Sequence, residues 1–320
     1  MNHLPFERVM VLFNPASTHA AAAKKRIDEL RRLVDEGKFL LLQTSERGRE
    51  SNRQLLLDHA DLLGPETLLC VAAGDGTINM TIEALACCAN DKAKQTILLP
   101  LWGGNANDVA HMLNGPAYRM PVSALLQRGK VVEFRPLSCL LTPADGASSE
   151  HLAVGYISFG ATALAARRLN EPPHRSSRLH KMPGGRVIQE FLTVFQALLK
   201  APSFRIDDGK GEQFIYDRMF INGSRIAKLR PLPLRLTDQS YYETTASEKR
   251  LKAVVARLRE LLRRPAVQRA PQIRHFTCLD DAWAQFDGET IKVPAGTKVT
   301  VRHGDISLRA WSVRLNSSSG

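Results

Sequence analysis

The sequence feature that most constrains the fold lies between residues 67 and 85, where a short apolar run stops at two glycines. The run ends at Ala73, and Gly74-Asp75-Gly76-Thr77 follows directly. Beyond this turn, apolar residues recur at helical spacing, at Ile78, Ile82 and Leu85. The pattern predicts a buried strand, a tight turn and a helix N-terminus. Because glycines admit a ligand close to the backbone and a helix start offers free N–H groups, we expect bound phosphate here.

Two further turns follow apolar runs in the same way. The segment Pro100–Asp108 passes through Gly103 and Gly104 and then presents three polar residues, namely Asn105, Asn107 and Asp108. The segment Asn14–Ser17 comes directly after the first apolar run. Each turn alone is ordinary, but three turns after parallel strands lie at one edge of a sheet and face one ligand.

The first 130 residues alternate between strand-like and helix-like segments. Strands are predicted at Arg8–Phe13, Lys38–Gln43, Thr67–Ala73 and Thr96–Leu101, and helices at Thr18–Glu36, 49–63, Thr77–Ala89 and Asp108–Leu113. This alternation favours an α/β domain with a doubly wound parallel sheet, which we place at residues 1–130.

The pattern changes after residue 130, where turn residues recur and the parallel-sheet alternation is lost. Residues 131–320 are therefore predicted to form a second, mainly antiparallel β-rich domain, whose last strand packs back on the first domain. Strands are expected at Val131–Thr142, Leu152–Phe159, Pro202–Ile206, Gln213–Ile221 and Leu232–Leu236, and in five segments between Ile273 and Val313. Helices are expected at Gly185–Leu199 and Glu248–Leu262, and a loop at Glu171–Gly185.

Composition excludes some classes of protein and leaves others open. The formal net charge of +12 fits an anionic membrane surface or a phosphorylated ligand. A nucleic-acid-binding protein would need aromatic residues among the basic ones, and aromatic residues make up only 6%. No signal peptide or membrane-spanning run is read, and five cysteines without CxxC spacing suggest reduced thiols in the cytoplasm.

The segment Phe286-Asp287-Gly288-Glu289 has two interpretations. An Asp-Gly pair between two strands is an ordinary hairpin turn. The same carboxylates, Asp287 and Glu289, are also suited to accept a proton from a hydroxyl nucleophile or to help hold a metal ion. The residues alone leave both interpretations open.

Taken in order, these motifs resemble those of the diacylglycerol kinase catalytic-domain family, which includes bacterial lipid kinases and sphingosine kinases. The resemblance spans most of the chain, from Asn14 to about Val313. It implies an α/β nucleotide domain related to that of NAD kinases, a β-rich lipid-side domain and an active site in the cleft between them. It also implies transfer of the γ-phosphoryl group of ATP, with Mg²⁺, to a lipid hydroxyl.

The resemblance assigns roles to individual residues. It implies that Glu289 is the general base, with Asp287 beside it, and that Asp75 binds Mg²⁺ or orients the reacting groups. Residues matched to the nucleotide-side motifs are Asn14, Ser17, Thr44, Gly74, Asp75, Gly76, Thr77, Asn79, Gly104, Asn105, Asn107 and Asp108. Ser158 and Gly160 match a small-residue turn that opens the second domain, and Asp238 matches a loop tied to a structural Mg²⁺.

The chain also departs from the family pattern. Ala73 replaces the first glycine of GGDGT, Thr18 replaces the glycine of the first motif, and Asn105 stands where threonine is usual. The loop around Asp238 has lost its glycine. These changes indicate a divergent member and keep a catalytically silent nucleotide- or lipid-binding homologue as an alternative. An NAD kinase ranks lower, because no second segment resembles that family's NxGxLGFL.

We therefore expect an ATP- and Mg²⁺-dependent lipid kinase that is cytoplasmic and peripherally associated with the inner face of the membrane. Its partners would be nucleotide and a lipid at that surface, with no nucleic acid. The acceptor stays open among diacylglycerol, a sphingoid base, phosphatidylglycerol and an undecaprenyl-type alcohol. The oligomeric state is also open, a homodimer included.

Overall fold

The computed structural model describes residues 5–45, 48–104, 107–170, 185–223, 240–246, 268–269 and 272–313. The chain divides into two compact units. The first consists of Met1–Pro136, Gly223–Gln239 and Gly304–Gly320, and the second of Leu137–Asn222 and Ser240–His303. The first unit thus extends a few residues beyond 130 and includes the last described residues, 304–313.

The first unit contains a six-stranded, mostly parallel sheet. Its strands are β1 (Arg8–Phe13), β2 (Phe39–Gln43), β3 (Thr67–Ala73), β4 (Ile97–Trp102), β5 (Lys130–Phe134) and β18 (Leu308–Ser312), in the order β2-β1-β3-β4-β18-β5. Its helices are α1 (Ala20–Leu33), α2 (Arg49–Leu57), α3 (Asp75–Cys87), α4 (Asp108–Asn114) and α5 (Val122–Arg128). The prediction of an α/β domain with a parallel sheet is confirmed.

The central strand β3 explains why this sheet forms. All seven of its residues, Thr67–Ala73, are buried, as a strand covered on both faces requires. One face carries Leu68 and Cys70, which belong to a core cluster with residues of α1 and α5 such as Leu30 and Val122. The continuous apolar run in the sequence is therefore the signature of a strand in the middle of the sheet.

Several element ends differ from those predicted. Helix α1 begins at Ala20 rather than Thr18 and ends at Leu33, and a short 3₁₀ turn, Glu36–Lys38, follows it. Helix α2 ends at Leu57, short of residue 63. Helix α3 begins at Asp75 rather than Thr77, because the extended Gly74 already accepts the first intrahelical hydrogen bonds through its carbonyl. Asp75 therefore lies in the first helical turn, where a carboxylate is favoured.

The second unit is built from two six-stranded sheets whose described pairings are all antiparallel. One sheet, in the order β10-β9-β14-β17-β6-β7, consists of β6 (Leu137–Thr142), β7 (Ser149–Ala153), β9 (Phe204–Asp207), β10 (Glu212–Ile215), β14 (Ile273–Cys278) and β17 (Lys298–His303). The other, in the order β13-β12-β11-β8-β15-β16, consists of β8 (Tyr156–Gly160), β11 (Asp217–Ile221), β12 (Tyr242–Ala246), β13 (Gln268–Arg269), β15 (Ala282–Phe286) and β16 (Glu289–Val293). The prediction of a β-rich antiparallel part is confirmed.

The two sheets of the second unit share one hydrophobic core. Phe159 and Phe220 come from one sheet and Phe276 from the other, and all three belong to the same buried cluster. The Phe159 and Phe276 rings meet edge to face with their centroids 5.2 Å apart. Two helices, α6 (Ala161–Asn170) and α7 (Gly185–Lys200), pack against each other in this unit.

Three segments that were predicted as single strands are each two strands. The segment 131–142 breaks at Arg135-Pro136, 152–159 breaks at Val154-Gly155, and 213–221 breaks at Tyr216. Proline explains the first break, since it cannot donate to a ladder. The five segments between 273 and 313 are five strands, as predicted. The expected strand Leu232–Leu236 and helix Glu248–Leu262 lie outside the described residues. So does the expected loop Glu171–Gly185, except for Gly185, which begins α7.

The last described strand belongs to the first sheet. Strand β18 pairs in parallel with β4 through Arg309 and Ala310, and antiparallel with β5 along its whole length. Trp311 contributes to the first unit's core, donates its indole N–H to the Leu125 carbonyl at 2.9 Å and packs edge to face on Phe6. The last described strand thus completes the sheet to which β1, the first strand, also belongs.

Candidate active site

The turn after β3 leads into helix α3 at the carboxyl edge of the first sheet. The Gly74 carbonyl accepts hydrogen bonds from the backbone amides of Thr77 and Ile78, at 3.0 and 3.2 Å. Gly76 is exposed, and a Cβ built on it meets nothing within 4 Å. The first turn of a thirteen-residue helix is therefore open, and such a turn favours an anion.

Asp75 links this turn to the one that follows β4. Its carboxylate accepts hydrogen bonds from the backbone amides of Asp108 and Val109, each at 3.1 Å. Burial and the nearby charge of Asp108 raise the pKa of Asp75 to about 6, against the lowering effect of those backbone hydrogen bonds. Asp75 and Asp108 thus form a carboxylate pair at the ends of two neighbouring strands.

The turn after β4 is held together by Asn107. This residue has left-handed backbone geometry, with φ of 54°. Its Oδ1 accepts hydrogen bonds from the amides of Gly103 and Gly104, at 3.2 and 2.9 Å, and its Nδ2 donates to the Gly104 carbonyl. Asn107 is buried, so its side chain shapes the turn from within.

Glycine is required where the two turns meet. A Cβ added to Gly104 would lie 2.3 Å from the Gly74 Cα, and one added to Gly103 would lie 2.8 Å from the Ala73 nitrogen. Real Cβ atoms do not approach backbone so closely, so a side chain at either position would push the turns apart. Two of the sequence motifs are therefore in backbone contact.

Asn14 connects the turn after β1 to the turn after β3. Its amide nitrogen donates to the Ala72 carbonyl at 3.2 Å, and its side-chain Nδ2 donates to Thr77 Oγ1 at 3.3 Å. Thr44 lies at the end of the adjacent β2, buried, and donates its backbone N–H to the Phe13 carbonyl at 2.9 Å. Residues from the ends of four parallel strands are thus assembled at one edge.

Two of the matched residues hold buried polar atoms with no hydrogen-bond partner. These are the Ser17 hydroxyl and both side-chain amide atoms of Asn79. Asn79 is only 1% exposed and lies one helical turn after Asp75. Buried polar atoms are normally paired, so these atoms fit a site that is completed by a ligand or by water.

Arg49 is a residue of this site that the sequence analysis missed. It begins α2, and its guanidinium donates to the Gly76 carbonyl at 3.3 Å and pairs with Glu83 at 2.5 Å. An Arg49–Glu83 ion pair therefore lies directly against the glycine turn. No local pattern indicated it, because the contact joins residues 27 positions apart.

The remaining predicted site residues lie elsewhere or outside the described part of the chain. Asn105 and Asp238 lie outside the described residues. Asp287 and Glu289 belong to the second unit. Ser158 and Gly160 lie within β8 and not in a turn; Gly160, with φ of 96°, ends the strand just before α6. The expectation of a turn at Ser158 is therefore wrong.

In the second unit, Asp287 and Gly288 form the two-residue turn of the β15–β16 hairpin. Both have positive φ, 49° and 94°, as the favoured hairpin turn requires. The Asp287 carboxylate accepts hydrogen bonds from the amides of Val154, Gly155 and Tyr156, at 2.5, 3.0 and 3.0 Å. Asp287 therefore fastens the β7–β8 connection to the hairpin, and Glu289 follows as the first residue of β16.

Metal ligands are sparse among the described residues. Within them, no group of three or more His, Cys, Asp or Glu side chains could hold a metal ion. The Asp75–Asp108 pair offers two carboxylates, and Mg²⁺ in nucleotide sites is commonly bound through one or two carboxylates plus substrate phosphates. The pair thus fits Mg²⁺ that is shared with a nucleotide rather than a metal site built by protein alone.

A parallel sheet with glycine turns at the ends of β3 and β4, combined with an antiparallel β-rich part, defines an α/β fold of the kind found in diacylglycerol kinases and NADH kinases. Residues 8–139 match the family model of the diacylglycerol kinase catalytic domain, so the predicted resemblance to this family is confirmed. Among curated proteins, no sequence matches the chain significantly.

Solved structures with the same fold include two kinds of kinase. A candidate diacylglycerol kinase from Bacillus anthracis str. Sterne shares 16% identity at a TM-score of 0.64, over 95% of this chain and 97% of that one. A further diacylglycerol kinase structure from the same organism shares 13% at 0.61, over 95% and 96%. Yeast NADH kinase in complex with NADH shares 10% at 0.57, over 98% and 85%. These likenesses establish the fold.

Proposed function

We propose that this protein is an ATP- and Mg²⁺-dependent lipid kinase that transfers the γ-phosphoryl group to a lipid hydroxyl. The observation that carries the proposal is the joined pair of glycine turns, in which Asp75 on one turn accepts backbone hydrogen bonds from the other. The match of residues 8–139 to the diacylglycerol kinase catalytic domain supports a kinase that uses a nucleotide.

The nucleotide would lie at the carboxyl edge of the first sheet. Backbone N–H groups at the start of α3 would hold phosphate oxygens, and the Arg49–Glu83 ion pair lies beside Gly76. The unpaired Ser17 hydroxyl and the Asn79 amide would gain partners from the nucleotide or from its bound water. The other proposed nucleotide residues are Asn14, Thr44, Gly74, Asp75, Thr77, Gly104, Asn105, Asn107 and Asp108.

Phosphoryl transfer needs positioning and charge stabilisation more than covalent chemistry from the protein. Bound Mg²⁺ supplies neutralisation of phosphate charge, and Asp75 and Asp108 are the residues that would hold it. Glu289 is proposed as the general base that takes the proton of the lipid hydroxyl, a contribution of roughly 10²–10⁴-fold. Asp287, through its three backbone hydrogen bonds, fixes the hairpin from which Glu289 extends.

The acceptor is proposed to be reached at a membrane surface. Within the described residues, no helix is long and apolar enough to cross a membrane. The net charge of +12 favours an anionic leaflet, so we propose a cytoplasmic protein bound peripherally to the inner face of the membrane. A homodimer is compatible with this proposal, and nucleic acid is not a proposed partner.

One experiment tests the central proposal. The purified protein is incubated with γ-labelled ATP, Mg²⁺ and a total lipid extract, and the labelled lipid is identified by chromatography and mass spectrometry. A labelled lipid that is lost in Glu289→Gln supports the kinase. Nucleotide binding without any labelled lipid would instead identify the silent nucleotide-binding homologue.

The yeast NADH kinase neighbour motivates a second candidate, a kinase that phosphorylates a nicotinamide dinucleotide. The same assay with NAD and NADH as acceptors decides between the two. We expect no labelled dinucleotide, because the family match is to diacylglycerol kinases. Labelled dinucleotide in the absence of labelled lipid would overturn the lipid-kinase proposal.

A further inference from the structure

A histidine of the second unit packs on the hairpin that carries Glu289. The His151 ring of β7 stacks on the Phe286 ring of β15, with centroids 4.7 Å apart and planes 17° from parallel. Phe286 is 2% exposed and is the last residue before the Asp287-Gly288 turn. The stack therefore joins an edge strand of one sheet to the strand that leads into this turn in the other sheet.

Strand alternation places His151 and Glu289 around the same aromatic ring. Phe286 and Glu289 are directly opposite each other in the β15–β16 pairing, so their side chains share one face, with Cβ atoms about 4.5–5.5 Å apart. Val293, further along β16 on that face, belongs to the core shared by the two sheets. In the facing sheet, Ala153 of β7 belongs to the same core and lies two residues after His151. His151 and Glu289 therefore border the Phe286 ring at one edge of this core.

Backbone hydrogen bonds hold the strand of His151 against the turn. The Asp287 carboxylate accepts from three amides of the β7–β8 connection, and the Asp287 amide donates to the Tyr156 carbonyl at 3.2 Å. The first of the three amides belongs to Val154, only three residues after His151. The position of the His151 ring is therefore fixed relative to the turn that precedes Glu289.

The hairpin supplies negative charge near the His151 ring. Among the described residues packed against His151, the hairpin contributes the carboxylates of Asp287 and Glu289. Glu150, the neighbour on β7, points to the other face of its strand and accepts a hydrogen bond from β6. Cys139 is the cross-strand partner of His151, and burial raises the pKa of its thiol, so it stays uncharged at neutral pH. A carboxylate beside an imidazole favours the protonated ring.

We propose that His151 is a positioning residue for Glu289 and acts in two ways. Its ring packs on Phe286 and so fixes the place from which Glu289 extends. Its protonated form lies near the Glu289 carboxylate and keeps that carboxylate ionised at acidic pH. A general base must be ionised to take the proton of a hydroxyl. This inference rests on the proposed lipid-kinase function, because it concerns the residue proposed there as the base.

The charge interaction is measured without turnover, by NMR titration of the His151 ring protons in the full chain. The resonance is assigned through its loss in His151→Phe. Because opposite charges stabilise each other, we expect the titration midpoint of His151 to be about 0.5–1 pH unit lower in Glu289→Gln than in the wild type. Glu212→Gln is the matched control and should leave the midpoint unchanged, since Glu212 lies on β10, at the opposite edge of the sheet that contains β7.

The effect on catalysis is measured as the pH profile of kcat/KM for lipid phosphorylation. His151→Phe keeps an aromatic ring and removes the charge, so its loss of activity should be confined to acidic pH. The pH of half-maximal activity on the acid side should rise by about 0.5–1 unit. His151→Ala also removes the stack and should lower kcat about tenfold or more at every pH, with ATP binding unchanged. His275→Phe, at an exposed position of β14, is the control and should change neither quantity.

The inference is overturned if the His151 midpoint is the same in the wild type and in Glu289→Gln. It is also overturned if His151→Phe and the wild type lose activity at the same acidic pH, or if the Phe and Ala variants lose the same activity at every pH. Absence of lipid phosphorylation by the wild type would instead be a failure of the kinase proposal. The NMR titration needs no turnover, so the two failures are distinguishable.

Discussion

The backbone amide of Asp108 donates a hydrogen bond to the Asp75 carboxylate across 3.1 Å. The two residues are 33 positions apart and are the first residues of α3 and α4, the helices that follow β3 and β4. A carboxylate at the start of one helix thereby fixes the start of the next, and the negative charges of both side chains are brought close together.

Asp75→Ala should reduce both stability and turnover. The change leaves the amides of Asp108 and Val109 without their partner, at a cost of about 1–3 kcal/mol in the free energy of unfolding. It also removes a proposed Mg²⁺ ligand, so lipid phosphorylation should be lost. Denaturant unfolding and the labelled-ATP assay measure the two effects. Asp61→Ala, on an exposed 3₁₀ turn, is the control and should change neither.

The raised pKa of Asp75, about 6, predicts a pH dependence of stability. Between about pH 4 and pH 6 the folded chain holds this proton more tightly than the unfolded chain does, so the folded state binds more protons. The contribution of Asp75 to the free energy of unfolding therefore falls as the pH rises through this window, by about 1–3 kcal/mol.

The measurement is the difference in unfolding free energy between the metal-free wild type and Asp75→Ala, taken at several pH values. Subtraction cancels carboxylates that titrate in both proteins, such as Asp280, whose pKa Arg205 lowers. The wild type should lose stability relative to the variant as the pH rises from 4 to 6. A difference that stays flat or grows over that range would contradict the raised pKa.

Gly104→Ala should separate the two glycine turns. Its new Cβ would lie 2.3 Å from the Gly74 Cα, and backbone there cannot yield cheaply. We expect a loss of about 1–3 kcal/mol in stability together with weaker ATP binding, measured by thermal melts and calorimetry. Gly76→Ala is the matched control for stability, since nothing lies within 4 Å of its Cβ and alanine favours a helix. Equal melting temperatures for both variants would rule out the close approach.

Variants of the two hairpin carboxylates, Asp287 and Glu289, should distinguish a structural role from a catalytic role. Asp287→Ala removes the acceptor of three backbone hydrogen bonds and should cost about 2–4 kcal/mol in stability. Glu289→Gln keeps the size of its side chain and removes the proposed base, so turnover should fall by about 10²-fold or more with an unchanged melting temperature. ATP binding should persist in Glu289→Gln. Full turnover in that variant would refute its role as general base.

The local patterns were sufficient where burial and turn chemistry act over short distances. The apolar run at Thr67–Ala73, the glycine turn after it and the helix beyond are all present, with the helix starting two residues earlier because Gly74 serves as its cap. The Asp287-Gly288 hairpin also followed from its residue types. In each case the signal lies within about a dozen residues of what it specifies.

Contacts that join distant segments could not be predicted. Three such features arise from tertiary packing. They are the Arg49–Gly76 contact, the hydrogen bonds from the β7–β8 connection to the Asp287 carboxylate, and the buried cross-strand residues Ser158 and Gln285, whose side chains have no hydrogen-bond partner. An alternating pattern places Gln285 on a face but does not say what lies across from it. The roles proposed for Asn14, Ser17, Thr44 and Glu289 in binding and catalysis stay predictions until the variants are measured.

The position of β18 has a consequence for biosynthesis. Leu308–Ser312 pairs with both β4 and β5, so the sheet has a gap until ribosomes have passed codon 312. The antiparallel unit ends at His303, so its last residues leave the ribosome before Leu308–Ser312 does. During translation the sheet of the first unit is therefore begun before the antiparallel unit and finished after it. A ribosome stalled shortly after residue 303 would leave the proposed nucleotide site on an unfinished sheet.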